Sequence, residues 1–267
     1  MSRTINRTIN FGTIGTVQNM DLAPWAFVFK TSLVKDPGRF LGDRVTTPDG
    51  RSFVYSKSSA ACISGHGCEF TDTGVVAITT LTVAQSGGGL AGTQVVEIPA
   101  ATHAALTLDQ LQGGYAIVYN GTDNNVDFLQ IVGNDASAEN AALVIYLEAG
   151  VSQAITTSSK VEVFANPYSA LRTATSATLA KAGRPAVPVA AASTYFWCQD
   201  DGMCWIAPQS VVGENGGIGC FWKHDGSLES ADTALAVTTA TNDTSQYAGH
   251  TVAGTAAGNG PLFKLQS

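Results

Sequence analysis

Cys62, His66 and Cys68 in CISGHGC, with Cys198 and Cys204 in CQDDGMC, are the side chains of this sequence best suited to chemistry. Thiolates and imidazole are the ligands zinc prefers, so the two clusters together could form a split metal site. Neither spacing is the C-x2-C of a zinc knuckle. Each cysteine pair encloses five residues, a spacing that equally suits the two strands of a tight hairpin. Reduced, packed cysteines are the first reading, ahead of disulfides formed after exposure to an oxidising medium and ahead of zinc. Cys220 has no evident partner. Cys68 and His66 could also form a nucleophile and base, but the four histidines (66, 103, 224 and 250) fall in no H-E-x-x-H frame. No serine stands in a G-x-S-x-G elbow either. Asp200 and Asp201 read as turn residues. GGGLAG at 87–92 matches G-x-G-x-x-G, yet TQVVEIP follows it, a strand pattern where a dinucleotide site needs a helix. It reads as a hairpin loop. No catalytic residue, cofactor or metal is assigned.

The elements that would carry these residues are strands. Short β-branched runs recur at 75–83, 93–99, 115–121, 126–132, 141–147 and 160–164, separated by turn-forming SGGGLAG, QGG, NGTDNN and GNDASAEN. The NGTDNN stretch is the clearest hairpin among them. A second hairpin is expected in TTPDGRSFVYSK at 46–57, where Pro48-Asp49-Gly50 makes the turn and Phe53 and Tyr55 share a face. With no segment of helical period, the pattern predicts an all-β protein of antiparallel sandwich or barrel modules.

The chain divides by composition into an extended arm over 1–40, a β-rich domain over 41–170, a linker or surface-crossing segment over 171–193, and a C-terminal β-module over 194–267. In APWAFVFK the residues Trp25, Phe27 and Phe29 alternate with smaller ones, which predicts a strand with one aromatic face. That face must be covered, either as an edge strand of the same domain or as an arm that docks on a neighbouring subunit. Tyr195, Phe196, Trp197, Trp205, Phe221 and Trp222 read first as core. An exposed Trp197, Trp205 and Trp222 would instead suit stacking on sugars, which makes a carbohydrate-binding β-sandwich of a phage tail or adhesion structure the alternative function.

Composition narrows the partners. Charged residues are 13% of the chain, about half the usual share, so much of the surface is neutral and prone to association. The net charge of −7, with its cations scattered, argues against nucleic acid. No apolar run reaches the length of a membrane helix. The first twenty residues lack the apolar core of a signal peptide, so synthesis in the cytoplasm is expected and the three glycosylation sequons carry no weight.

The hairpin at Thr47–Lys57, the strand pair at Gly113–Thr122, the strand ending in Asn-Pro-Tyr at Thr156–Leu171 and the closing PLFKLQ at Pro261–Gln266 occur in an order that resembles the decoration (cement, or head-stabilisation) proteins of tailed-bacteriophage capsids. The resemblance covers most of the chain, but not its cysteine loops or the tryptophans after 196. It implies a non-enzymatic structural virion protein on the outer capsid surface, with the major capsid protein and itself, as a homotrimer, for partners.

Overall fold

A computed structural model describes residues 9–10, 16–17, 25–71, 73–81, 89–120, 125–156, 158–209, 212, 219–230, 243–253 and 262–266. Among the described residues strands make up 47% and the helical share is 4%. The expected all-β class is found. Two antiparallel sheets each curl into a half-barrel.

In chain order the strands are β1 (Ile9–Asn10), β2 (Thr16–Val17), β3 (Arg44–Thr46), β4 (Ser52–Lys57), β5 (Cys68–Glu69), β6 (Gly74–Thr80), β7 (Val95–Ile98), β8 (Tyr115–Asn120) and β9 (Asn125–Asn134). They continue with β10 (Leu143–Leu147), β11 (Lys160–Phe164), β12 (Arg172–Thr173), β13 (Lys181–Pro185), β14 (Tyr195–Cys204), β15 (Gly219–Lys223), β16 (Leu228–Ser230), β17 (Asp243–Ala253) and β18 (Leu262–Leu265). β1 pairs with β2. A six-stranded sheet runs β6-β11-β8-β9-β10-β7. A ten-stranded sheet runs β12-β5-β13-β14-β18-β17-β15-β16, with β4 on β14 and β3 on β4.

The six-stranded sheet follows the side-chain period of two. In β8, Ala116, Val118 and Asn120 are buried while Tyr115, Ile117 and Tyr119 are half-exposed. β10 buries Leu143, Ile145 and Leu147, and β11 buries Val161 and Val163. These side chains meet Val76, Val96, Ile98 and Ile131 in one core. The NGTDNN hairpin is where it was expected, since Asn120 pairs with Asn125. The GGGLAG segment is not a hairpin loop, because β6 and β7 lie on opposite edges of the sheet. The connection between them therefore crosses from one edge to the other. Part of it, residues 82–88, lies outside the described residues.

The compositional boundaries do not follow the sheets. β3, β4 and β5 belong with the C-terminal strands, so the six-stranded sheet is an excursion of the chain between β5 and β12. Residues 171–193 supply β12 and β13 to the large sheet, and Leu171, Ala182, Ala186 and Val189 are buried there. Small residues suit this segment because neighbouring backbones come close: a Cβ on Gly183 would lie 2.2 Å from the Gln199 carbonyl oxygen.

β14 is the hub of the large sheet. Its first half pairs with β4 and β13, and its last three residues pair with β18. Cys198 and Cys204 thus lie on one strand rather than on two arms of a hairpin. Asp200 and Asp201 lie in the strand and not in a turn. Gly202, at φ +89, sits where the strand changes partners, and its missing Cβ leaves room for the Arg51 backbone.

The expected strand at 23–30 is instead a 3-10 turn over Ala26–Phe29. Three residues per turn bring Trp25 and Val28 to one side, and the fully buried side chain is Val28, which alternation had placed opposite the aromatics. The hydrogen bond from Val28 N to the Trp25 carbonyl closes the turn at 3.0 Å.

Candidate interaction surface

Among the residues expected to make capsid or subunit contacts, Phe27 packs edge-on against Trp197 of the same chain at 5.4 Å, and Phe29 meets Phe53 at 6.2 Å. The Arg39 guanidinium lies over both Phe27 and Trp197, and that of Arg51 over Phe29 and Phe53. Trp25 is half-buried and Phe29 stays largely exposed. Ser32 exchanges two backbone hydrogen bonds with Tyr195, at 3.0 and 2.7 Å, and so ties this segment to β14. From Trp25 onward the arm lies on its own sheet. Most of residues 1–24 lie outside the described residues.

Trp197 and Trp222 are core side chains, and only Trp205 among the three expected stackers is exposed. A three-tryptophan sugar platform is therefore not present. Trp197 is packed among Val28, Phe53, Tyr55 and Ala186, while Trp222 is covered by the CISGHGC loop. Its glycines bring backbone against the indoles: a Cβ on Gly65 would lie 2.8 Å from Trp205, and one on Gly67 would lie 2.7 Å from Trp222. Backbone hydrogen bonds from Gly67 N to Gly226 O and from Ala207 N to Gly65 O, both 2.7 Å, seat the loop.

Cys62, Cys68 and Cys198 converge in one buried cluster with Leu171, Ala182, Val189 and Phe196. Hydrogen bonds to the Cys198 and Cys62 thiols, with burial, push the Cys68 thiol well above its ordinary value. Burial raises Cys204 to about 11 and also raises Cys220. Reactive thiols need the opposite environment, one that stabilises the thiolate. All five cysteines are free and buried, and among the described residues no three His, Cys, Asp or Glu side chains are grouped to hold a metal. In the folded protein an aromatic disulfide reagent should leave all five thiols unmodified, and denaturant should release all five. Rapid modification of Cys68 in the native state would contradict this burial.

Among the carboxylates buried in the large sheet are Glu69 and Asp200. Glu69 accepts hydrogen bonds from Arg172 Nε at 2.9 Å, Lys181 Nζ at 3.1 Å, Thr175 Oγ1 at 3.2 Å and Ser176 N at 3.0 Å. Neither Glu69 nor Lys181 exposes any of its side chain. Asp200 pairs with Arg44 Nη1 at 2.6 Å, and burial raises its carboxyl despite the opposing guanidinium. Both carboxylates join strands distant in sequence, so they hold the frame together.

The outer face of the six-stranded sheet is different. On β9, Val126, Phe128 and Val132 are 49%, 63% and 46% exposed. Across the ladder Tyr119 stands opposite Val126, and Ile117 opposite Phe128. Tyr115 stacks on Phe128 with ring centres 5.0 Å apart and planes 12° apart, a diagonal cross-strand pair. Phe164 lies opposite Tyr115 on the next strand. The apolar positions are bordered on β11 by Lys160 and by Glu162, which accepts from the Tyr119 hydroxyl at 3.3 Å, and Gln130 stands between Phe128 and Val132. A contiguous apolar patch of this kind is an interaction surface when it persists on a folded protein. Alternating burial in β8 and β9 was visible in the sequence. Which alternate face would stay uncovered was not, because that depends on the curl of the sheet.

No family model, no curated protein and no solved structure matches the chain.

Proposed function

We propose that this chain is a non-enzymatic structural protein of a tailed-phage virion, bound to the outside of the capsid and stabilising the shell. The observation that carries the proposal is the uncovered apolar face formed by Val126, Phe128 and Val132 with Tyr115 and Ile117. Its side chains stand on paired strands, so little conformational entropy is lost when a partner covers them. The low charge of the whole chain fits a surface shared with neighbours. The segments that carry the resemblance to decoration proteins supply β4, β8, β11 with the turn after it, and β18.

The partners in this reading are the major capsid protein and two further copies of the chain, as a trimer at three-fold positions. Many modest contacts repeated by symmetry give retention that no single contact could. Trp25 and Phe29, at the end of the arm, supply a second contact.

The test is co-sedimentation with purified shells of the parent phage. The double variant Val126→Asp, Phe128→Glu should remain folded and lose shell binding at least tenfold, because it places charges where apolar side chains must be covered. Undiminished binding by a folded double variant would refute the docking face. No binding by the unaltered protein to any mature or expanded shell would refute the function.

A further inference from the structure

Beside the apolar face, a cleft of about 400 Å³ opens between the 40–43 segment, the turn leading into β8, and the 166–168 turn. Its volume falls within the roughly 300–1,000 Å³ of small-ligand sites. Phe40 and Tyr115 contribute rings, and Gln112, Gln130 and Asp43 contribute polar groups.

The framework of the cleft is fixed by hydrogen bonds. Gly113 N donates to Ile131 O at 2.8 Å and Gly114 N to Leu111 O at 2.8 Å, which pins the turn bearing Gln112 to β9. Tyr115 and Gln130 are direct cross-strand partners. The Gln130 backbone N–H is held by Glu148 Oε1 at 2.9 Å. Asn166 forms the back of the cleft, with Nδ2 donating to Leu41 O and Gly113 O.

Against this fixed frame, the side-chain amides of Gln112 and Gln130 and the hydroxyl of Tyr115 make no hydrogen bond among the described residues. Each amide presents a donor and an acceptor, and the phenol presents both. Asp43 Oδ2 accepts from Phe40 N at 2.8 Å. No lysine or arginine lines the cleft itself, and the Lys35 ammonium lies 5.0 Å from the centre of the Phe40 ring.

We infer that this cleft binds a neutral saccharide. A pyranose offers an apolar C–H face to an aromatic ring and, on its edge, neighbouring hydroxyls that both donate and accept. Side-chain amides match such hydroxyl pairs, and a carboxylate accepts from them. With one carboxylate and no cation in its lining, the cleft disfavours phosphate, sulfate and sialic acid. An apolar peptide would strand the two amides and the phenol without partners. The cleft shares Tyr115 and Val132 with the apolar face, while a saccharide held there leaves the Val126 and Phe128 side of the sheet free.

The experiment is calorimetric titration of the full chain with maltotetraose, cellotetraose and chitotetraose, and with sialyllactose as the charged probe. At least one neutral probe should bind saturably with a dissociation constant of about 1 mM or tighter. Gln112→Ala and Gln130→Ala should each weaken it about tenfold while the melting temperature stays within about 2 °C, since neither side chain has a partner to lose. Glu97→Gln on β7 should change nothing. Absence of saturable binding by all three neutral probes would overturn the inference, as would binding that the two alanine variants leave intact or preference for sialyllactose. If the alanine variants lose shell binding while no saccharide binds, the cleft belongs to the capsid contact instead.

Discussion

Glu69→Gln is expected to lower the stability of the folded chain by about 3–5 kcal/mol, because it leaves the Lys181 ammonium buried without a counter-charge. For a chain of this size that corresponds to a melting temperature lower by on the order of 10 °C. Lys181 Nζ would keep the Ser176 and Leu179 carbonyls, at 2.6 and 2.9 Å, and a neutral amide oxygen at position 69, none of which carries the balancing charge. Arg172 also pairs with Glu69 but is substantially exposed, so its loss should matter far less. The double variant Glu69→Met, Lys181→Met should recover most of the loss, since burying two apolar side chains of similar length removes both desolvation costs. A Glu69→Gln protein that melts within about 1 kcal/mol of the unaltered one would show that the pair does not hold β5, β12 and β13 together.

The same carboxylate sets an acid limit. Burial would raise the Glu69 carboxyl, but the Ser176 and Thr175 backbone and the Lys181 and Arg172 side chains outweigh it and hold the group below its ordinary value. A depressed folded value means that the unfolded chain takes up the proton first. The contribution is therefore complete above the unfolded value of about 4.3 and is lost as the pH falls through the lower folded one. Lys181 runs the other way: burial outweighs Glu69 and depresses it, so its penalty eases as the pH rises towards the value of a free lysine. Thermal melts from pH 6 downward should fall more steeply for the unaltered chain than for the double methionine variant. Parallel curves would contradict this assignment.

Asn166→Ala is expected to cost about 3 kcal/mol, a large effect for removing one amide. The side chain is almost fully buried. Its Nδ2 donates to Leu41 O at 2.8 Å and to Gly113 O at 3.1 Å, and its Oδ1 accepts from Tyr168 N at 2.8 Å as the cap of the Pro167–Ser169 turn. Truncation leaves two carbonyls and one N–H without partners at roughly 1 kcal/mol or more each. Asn166→Asp should be at least as damaging, since a carboxylate cannot donate to either carbonyl. Denaturant melts measure the loss. Loosening should show first in amide exchange at Gly113 and Tyr168, where the side chain joins the 41–43 segment, the β8 turn and the 167–169 turn. Uniform exchange rates across those positions in the variant would argue against a local knot.

The β class, the run of strands from β6 to β11 and the two hairpins at 46–57 and 115–134 were legible because each rests on local chemistry. Alternation places Ala116 and Val118 on one face and Tyr115 and Ile117 on the other, and Pro48-Asp49-Gly50 turns the chain over four residues. The 3-10 turn at Ala26–Phe29 was misread because alternating aromatics over eight residues fit two periods, and the choice between them came from a long-range contact, Val28 against Phe53 and Trp197. The segment 171–193 resembled a linker for the same reason. Small residues mark either a solvated strand of chain or a place where backbones must approach, and only the 2.2 Å clearance at Gly183 distinguishes them. Nothing in the spacing of Glu69 and Lys181, or of Leu41, Gly113 and Asn166, announces that they meet, because contacts over 53 to 125 residues depend on how two curled sheets are threaded and not on any local period. The sequence by itself determined strands, turns and a weakly charged surface; the tertiary structure decided which face of those strands was left uncovered, because burial is a property of neighbours.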